Sequence, residues 1–131
     1  MSASLDTNIV LRLLVRDIEV QYQLAKKLVE SSTKSLQVAD IVFVEIEYAL
    51  INHYELNREQ VTEILQKFIS HPKINCNKEL ISKVLADYKV LPALSFTDIS
   101  LYVYADLNSA KPLWTFDKKL ANQGKNTKLL V

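Results

Sequence analysis

One glycine, Gly124, three prolines, one cysteine and one tryptophan are all that 131 residues contain of these types. So little glycine and proline leaves no material for a glycine-rich phosphate loop, a flexible linker or a low-complexity tail. The lone Cys76 has no partner for an internal disulfide and lies in an apolar run, so a reduced compartment and a buried, non-catalytic thiol are expected. The two histidines, His53 and His71, have no Cys or His at ligand spacing, which argues against a histidine-based zinc site. Neither sign of charge prevails: sixteen basic residues against fifteen acidic give +1. No global field therefore announces a polyanionic partner, and any such binding must come from a local patch or a metal. The longest apolar runs are too short to span a bilayer, and the N-terminus lacks the features of a signal peptide, so a soluble, cytoplasmic protein with no membrane partner is expected. The length fits a single domain, residues 1–131, with a core that needs no staples.

What is present is an alternation of short strands with helices. Ala3 to Leu5 reads as a strand, and Asn8 to Val15 as a helix apolar on nearly every side, hence buried or covered. Leu24, Ala25, Leu28 and Val29 give helical spacing to Ile18–Ser31, and Leu36 to Ala39 makes a second strand. Asp40 is placed to cap a helix over Ile41–Tyr54, apolar apart from Glu45 and Glu47. Asn57 and Gln60 form a capping-box start, followed by Val61, Ile64, Leu65, Phe68 and Ile69 at helical intervals. Lys73 to Cys76 suggests a third strand, and Leu80, Ile81, Val84, Leu85 and Tyr88 another helix. Ser95 and Asp98 precede the apolar run Ile99–Leu107, and Leu113–Thr115 is a fourth strand. Asp117 then opens a short helix over Lys118–Gln123 that Gly124 can end from the C′ position, before a terminal strand over Thr127–Val131. The architecture this pattern predicts is an α/β sandwich on a parallel sheet.

Four acids stand out against that frame. Asp6 and Asp117 fall just past the ends of predicted strands, and Glu45 and Asp98 fall in the first turns of helices that begin at the same edge. In open parallel sheets that edge is where ligands bind. Each acid also has a structural explanation. Asp6 and Asp117 can be N-caps, Asp98 can complete a capping box with Ser95, and Glu45 can reach a neighbour or solvent. For Glu45 the structural explanation is the weaker one, because its flanks are Ile41–Val44 and Ala49–Ile51 and an acid buried there is costly. The pattern alone does not choose between Glu45 and Glu47. If the four acids converge, their repulsion calls for a divalent cation, and all-oxygen ligation favours Mg²⁺ or Mn²⁺. A hard cation over phosphate oxygens suits phosphodiester hydrolysis by an activated water.

The segments Leu5-Asp6-Thr7-Asn8-Ile9-Val10-Leu11-Arg12-Leu13-Leu14, Val44-Glu45-Ile46-Glu47-Tyr48-Ala49-Leu50, Phe96-Thr97-Asp98 and Thr115-Phe116-Asp117-Lys118-Lys119-Leu120 resemble, in that order, the PIN-domain ribonucleases, and within them the VapC-type toxins of toxin–antitoxin pairs. The resemblance implies a PIN-like three-layer α/β sandwich, a short parallel sheet flanked by helices, and Mg²⁺-dependent cleavage of RNA, with Mn²⁺ able to substitute. It also implies a homodimer and a cognate antitoxin protein as partners. Carried over by position, Asp6 and Asp98 are the main metal ligands, Glu45 and Asp117 complete a catalytic set, and Thr7, Asn8 and Thr115 are supporting hydrogen-bond donors. An acidic pocket alone repels RNA, so basic residues near that edge in sequence, Arg12, Arg16, Lys118, Lys119 and Lys128, are candidates for phosphate contact. Two other readings keep a small α/β fold. One is a catalytically silent PIN-like module that binds protein or RNA without metal. The other is a phosphorylated receiver, which needs an acceptor aspartate where Asn75-Cys76-Asn77 stands.

Overall fold

The computed structural model describes residues 2–131, and its contacts gather into two compact units, one ending at Lys78 and the other running Glu79–Val131. Both are α/β, with short parallel strands and helices between them.

The first unit runs β1 (Ala3–Ser4), α1 (Thr7–Leu14), α2 (Glu19–Ser31), β2 (Leu36–Gln37), α3 (Asp40–Asn52), α4 (Arg58–Ile69) and β3 (Ile74–Asn75). The strands pair in parallel in the order β1-β2-β3, with Ala3 opposite Leu36 and Leu36 opposite Ile74. They are shorter than the apolar runs suggest because a helix follows almost at once: α1 begins three residues after Ser4, and α3 begins three residues after Gln37. The ladder is prolonged by single bonds, Leu5 N–H to the Gln37 carbonyl and Val38 N–H to that of Asn75, both 2.9 Å. Over it lie Val10, Phe43, Ile46, Leu50, Val61 and Leu65, all fully buried, with the rings of Phe43 and Phe68 6.3 Å apart. The capping box of α4 forms as the sequence indicates, with Asn57 and Gln60 exchanging two bonds of 2.9 Å.

Two expectations for this unit are corrected, those for Asp40 and Cys76. Asp40 is not a cap: Ala39 holds that position without a side-chain bond, and Asp40 is the first helical residue, where its charge meets the positive end of the helix. The stripe on α2 is only half used, since Ala25 and Val29 are buried while Leu24 is 65% exposed. Cys76 is half-buried rather than buried, and that partial burial pushes its thiol pKa up.

The second unit runs α5 (Lys78–Val90), α6 (Phe96–Leu107), β4 (Leu113–Thr115), α7 (Lys118–Gln123) and β5 (Thr127–Leu129). Strands β4 and β5 are parallel, with Leu113, Trp114 and Thr115 opposite Thr127, Lys128 and Leu129. The core is Ile81, Val84, Leu85, Tyr88, Leu94, Phe96 and Ile99, and Tyr88 meets Phe96 edge-on with ring centres 5.4 Å apart. The Tyr102 hydroxyl donates to Asp87, which Lys125 also approaches at 3.4 Å. Gly124 does not take the left-handed conformation expected of a C′ glycine: it is the C-cap of α7 in an extended conformation. A Cβ there would lie 2.8 Å from the Leu120 carbonyl oxygen and 2.9 Å from Thr127 Cγ2, so it is closeness, not backbone freedom, that excludes a side chain. The terminal strand also stops earlier than expected, at Leu129.

Candidate active site

Each of the three aspartates sits where a helix starts. Asp6 is the N-cap of α1, and its Oδ1 accepts from Ile9 N–H at 2.9 Å. Asp117 is the N-cap of α7, and its Oδ1 accepts from Leu120 N–H at 3.1 Å. Asp98 is the third residue of α6 and forms a capping box with Ser95: its N–H donates to Ser95 Oγ at 3.0 Å, and its Oδ2 accepts from Ser95 N–H at 3.4 Å. The capping roles open to these residues are therefore all real, yet each occupies one carboxylate oxygen. The second oxygen of each, Asp6 Oδ2, Asp98 Oδ1 and Asp117 Oδ2, has no hydrogen-bond partner among the described residues. A cap and a ligand are thus compatible roles for one side chain.

Glu45 departs from its expected place. It is the sixth residue of α3, in the second turn rather than the first, and it is exposed, so no burial cost needs explaining. What fixes it is Thr7, the residue after Asp6, whose Oγ1 donates to Glu45 Oε1 at 2.8 Å. That bond brings Glu45 to the start of α1 and separates it from Glu47, which lies roughly 200° further round the helix. Within the first unit, then, Asp6, Thr7 and Glu45 form one connected group. The second unit carries Asp98 and Asp117, each in the first turn of its helix or at its cap. Thr115 plays a different part from the donor expected: its Oγ1 accepts from Asp117 N–H at 2.9 Å and so steadies the turn that presents Asp117. Asn8 makes no side-chain hydrogen bond among the described residues and lines, with Asp6, Arg12, Gln21 and Leu24, a groove of about 360 Å³ between α1 and α2.

The basic candidates divide sharply. Arg12 Nη1 pairs with Asp17 Oδ1 at 2.9 Å and Nη2 donates to the Tyr54 hydroxyl at 3.2 Å, while that hydroxyl donates to Asp17 Oδ2 at 2.8 Å. The Tyr54 bond, seconded by the Arg12 charge, holds the Asp17 pKa below the ordinary carboxylate range. Arg16 is clamped to Glu19 by two bonds of 2.6 and 2.8 Å, which take Glu19 down to about 2, and its guanidinium lies 4.3 Å from the centre of the Tyr22 ring. Both arginines are thus already engaged by an acid of their own unit. Lys118, Lys119 and Lys128 are exposed and in no ion pair among the described residues. No sequence pattern announces the Arg12–Asp17–Tyr54 network, because its members are joined across 42 positions.

The four acids are hard oxygen donors with an oxygen to spare, a chemistry that fits Mg²⁺ or Mn²⁺. Among the described residues no group of three or more His, Cys, Asp or Glu side chains is gathered closely enough to hold an ion. The observed unit of construction is smaller: one carboxylate cap beside a second carboxylate tethered by a threonine. Compared with known families, the chain matches the model described as PIN domain over residues 3–126. No curated protein shows a significant match to it.

Proposed function

The chain belongs to the PIN-domain family, whose members are generally nucleases, and on that premise we propose that it is a Mg²⁺-dependent endoribonuclease and the toxin of a toxin–antitoxin pair. The single observation that supports this most is the Asp6–Thr7–Glu45 group, in which a cap leaves an oxygen unspent and a threonine aims a second carboxylate at the same helix start. In this reading Asp6 and Asp98 hold the ion, and Glu45 and Asp117 complete the acidic set. When bound, a hard divalent cation supplies charge for the phosphate oxygens and acidifies a water near it. Thr7 keeps Glu45 Oε1 engaged, which leaves Oε2 as the atom to accept a proton from the attacking water. Thr115 steadies the turn that presents Asp117, and Asn8, which lines the groove beside Asp6, is a supporting donor to the substrate.

The same reading makes residues 1–131 one working nuclease domain, cytoplasmic, acting as a homodimer and silenced by an antitoxin protein. The exposed Val20 and Leu24 on α2 and Ile41 and Tyr48 on α3 supply apolar area for such contacts. Among the described residues no helix is long and apolar enough to cross a membrane.

The test is cleavage of end-labelled single-stranded and structured RNAs by wild type and Asp6→Asn, with Mg²⁺, with Mn²⁺ and with EDTA. Metal-dependent cleavage by wild type alone is the expected result; cleavage that survives both Asp6→Asn and Asp98→Asn overturns the assignment. One observation favours a rival, a silent interaction module: capping alone accounts for the presence of Asp6, Asp98 and Asp117. Calorimetric titration with Mn²⁺ separates the two, since the rival takes up no ion.

A further inference from the structure

Burial along the two strands of the second unit alternates. Leu113, Thr115, Thr127 and Leu129 are half-buried, whereas Trp114 and Lys128, directly opposite each other across the pair, are exposed. The same outward side continues past the strand ends, where Phe116 is 79% exposed and Leu130 47%; Leu130 N–H still bonds the Thr115 carbonyl at 2.8 Å. Trp114 itself is 57% exposed. An indole and a phenyl ring two residues apart, both left in water, are more than core packing accounts for. Asp117 follows Phe116 immediately, and Lys118 and Lys119 come next. These two lysines and Lys128 are in no ion pair among the described residues, whereas Lys83, Lys111 and Lys125 of the same unit each face an acid.

We propose that this face is a stacking platform for unpaired bases of single-stranded RNA: Trp114 and Phe116 carry the bases, and Lys118, Lys119 and Lys128 carry the backbone beside Asp117. The inference rests on the reading of the protein as an RNA nuclease and adds to it the surface by which substrate is held. Aromatic side chains on a sheet with flanking cations form the general device for sequence-tolerant binding of single strands, because every base offers a π-face and every nucleotide a phosphate. The occupant is RNA rather than a second copy of this chain on grounds of charge. Three cations that are in no ion pair among the described residues complement phosphates, and a twofold contact through this patch would put the same lysines on both sides of the interface.

Trp114 is the only tryptophan, so its emission reports on this face alone. The Asp6→Asn protein, which retains a capping side chain, is titrated in Mg²⁺ with a labelled single-stranded oligoadenylate and with the corresponding duplex, following RNA anisotropy and tryptophan emission together. The expected result is quenching that saturates with binding of the single strand, with weaker binding of the duplex. Trp114→Ala and Phe116→Ala each raise Kd by about tenfold, and Trp114→Phe restores most of it. Replacing Lys118, Lys119 and Lys128 together by alanine lowers the slope of log Kd against log salt by about 2. Three results overturn the platform: RNA binding with unchanged emission, Trp114→Ala binding as tightly as its parent, or no RNA binding at all. Emission that changes with protein concentration alone, with a dimer in sedimentation, assigns the face to a second copy and overturns it as well. Cleavage by the wild type without quenching leaves the nuclease standing and removes the platform; quenching without cleavage does the reverse.

Discussion

Thr7 and Glu45, 38 residues apart in the chain, are joined by a single hydrogen bond of 2.8 Å from the threonine hydroxyl to the glutamate Oε1. Among the described residues it is the only tie of the Glu45 carboxylate, so the direction of that carboxylate depends on one hydroxyl. Thr7→Val keeps the shape and removes the donor. Cleavage is expected to fall about tenfold while the far-UV spectrum stays unchanged, and Thr7→Ser should recover most of the rate. A Thr7→Val protein that cleaves like wild type would show that Glu45 needs no orientation.

Asparagine caps helices as well as aspartate does, whereas alanine does not. Asp6→Asn is therefore expected to keep the melting temperature of wild type and lose metal-dependent cleavage by at least about a hundredfold. Asp6→Ala should lose the same activity and also about 1 kcal/mol of stability, a few degrees in Tm. Parallel melting curves and cleavage assays of the two variants separate the carboxylate's structural task from its chemical one.

Tyr102 donates to Asp87, and burial first, then that bond, push its pKa above the usual 10.0. Tyr54 is raised for the same two reasons. A folded-state pKa above the unfolded one contributes stability that is complete below pH 10.0 and drains away as pH rises through the folded value. Spectrophotometric titration should find Tyr102 and Tyr54 ionising late, and unfolding by alkali should set in above that pH. Tyr102→Phe should flatten the alkaline loss.

Acid behaves in the opposite sense. Arg16 and Gln23 hold Glu19 down to about 2 from an ordinary 4.5, and Tyr54 holds Asp17 low. Depressed carboxylates stabilise the fold above their unfolded pKa, and the contribution disappears as pH falls from about 4.5 toward 2. Both groups face solvent, so the effect is small. Glu19→Gln should leave Tm at neutral pH almost unchanged and reduce its dependence on pH in that acid window.

The helices were legible wherever a period of apolar residues met a capping side chain. Asn57 with Gln60 and Ser95 with Asp98 mark their starts by chemistry that needs only neighbours in sequence, and both boxes form. Asp40 misled because the residue before it, Ala39, already has the extended backbone a cap requires, which moves aspartate one place into the helix. Glu45 was singled out for a burial it does not suffer: an acid flanked by isoleucine and valine can still point outward when the helix shows water one face, as exposed Ile41 and Tyr48 confirm. The outward face of β4 and β5 was hidden for a related reason. Leu113-Trp114-Thr115 reads only as a short strand, and the pairing of Trp114 with Lys128 reveals which of its residues water touches.

The packing of Gly124 against Leu120 reaches further than its own turn. Because no side chain fits between that carbonyl and Thr127, the residue governs how β5 returns from α7 to lie along β4, and with it which residue stands across from Trp114. A genetic search for loss of RNA binding would thus be expected to return variants of Gly124 alongside those of the aromatic pair. Such hits would mark the hinge on which the surface is hung, and reading them as contacts would place the nucleic acid on the wrong side of the strand.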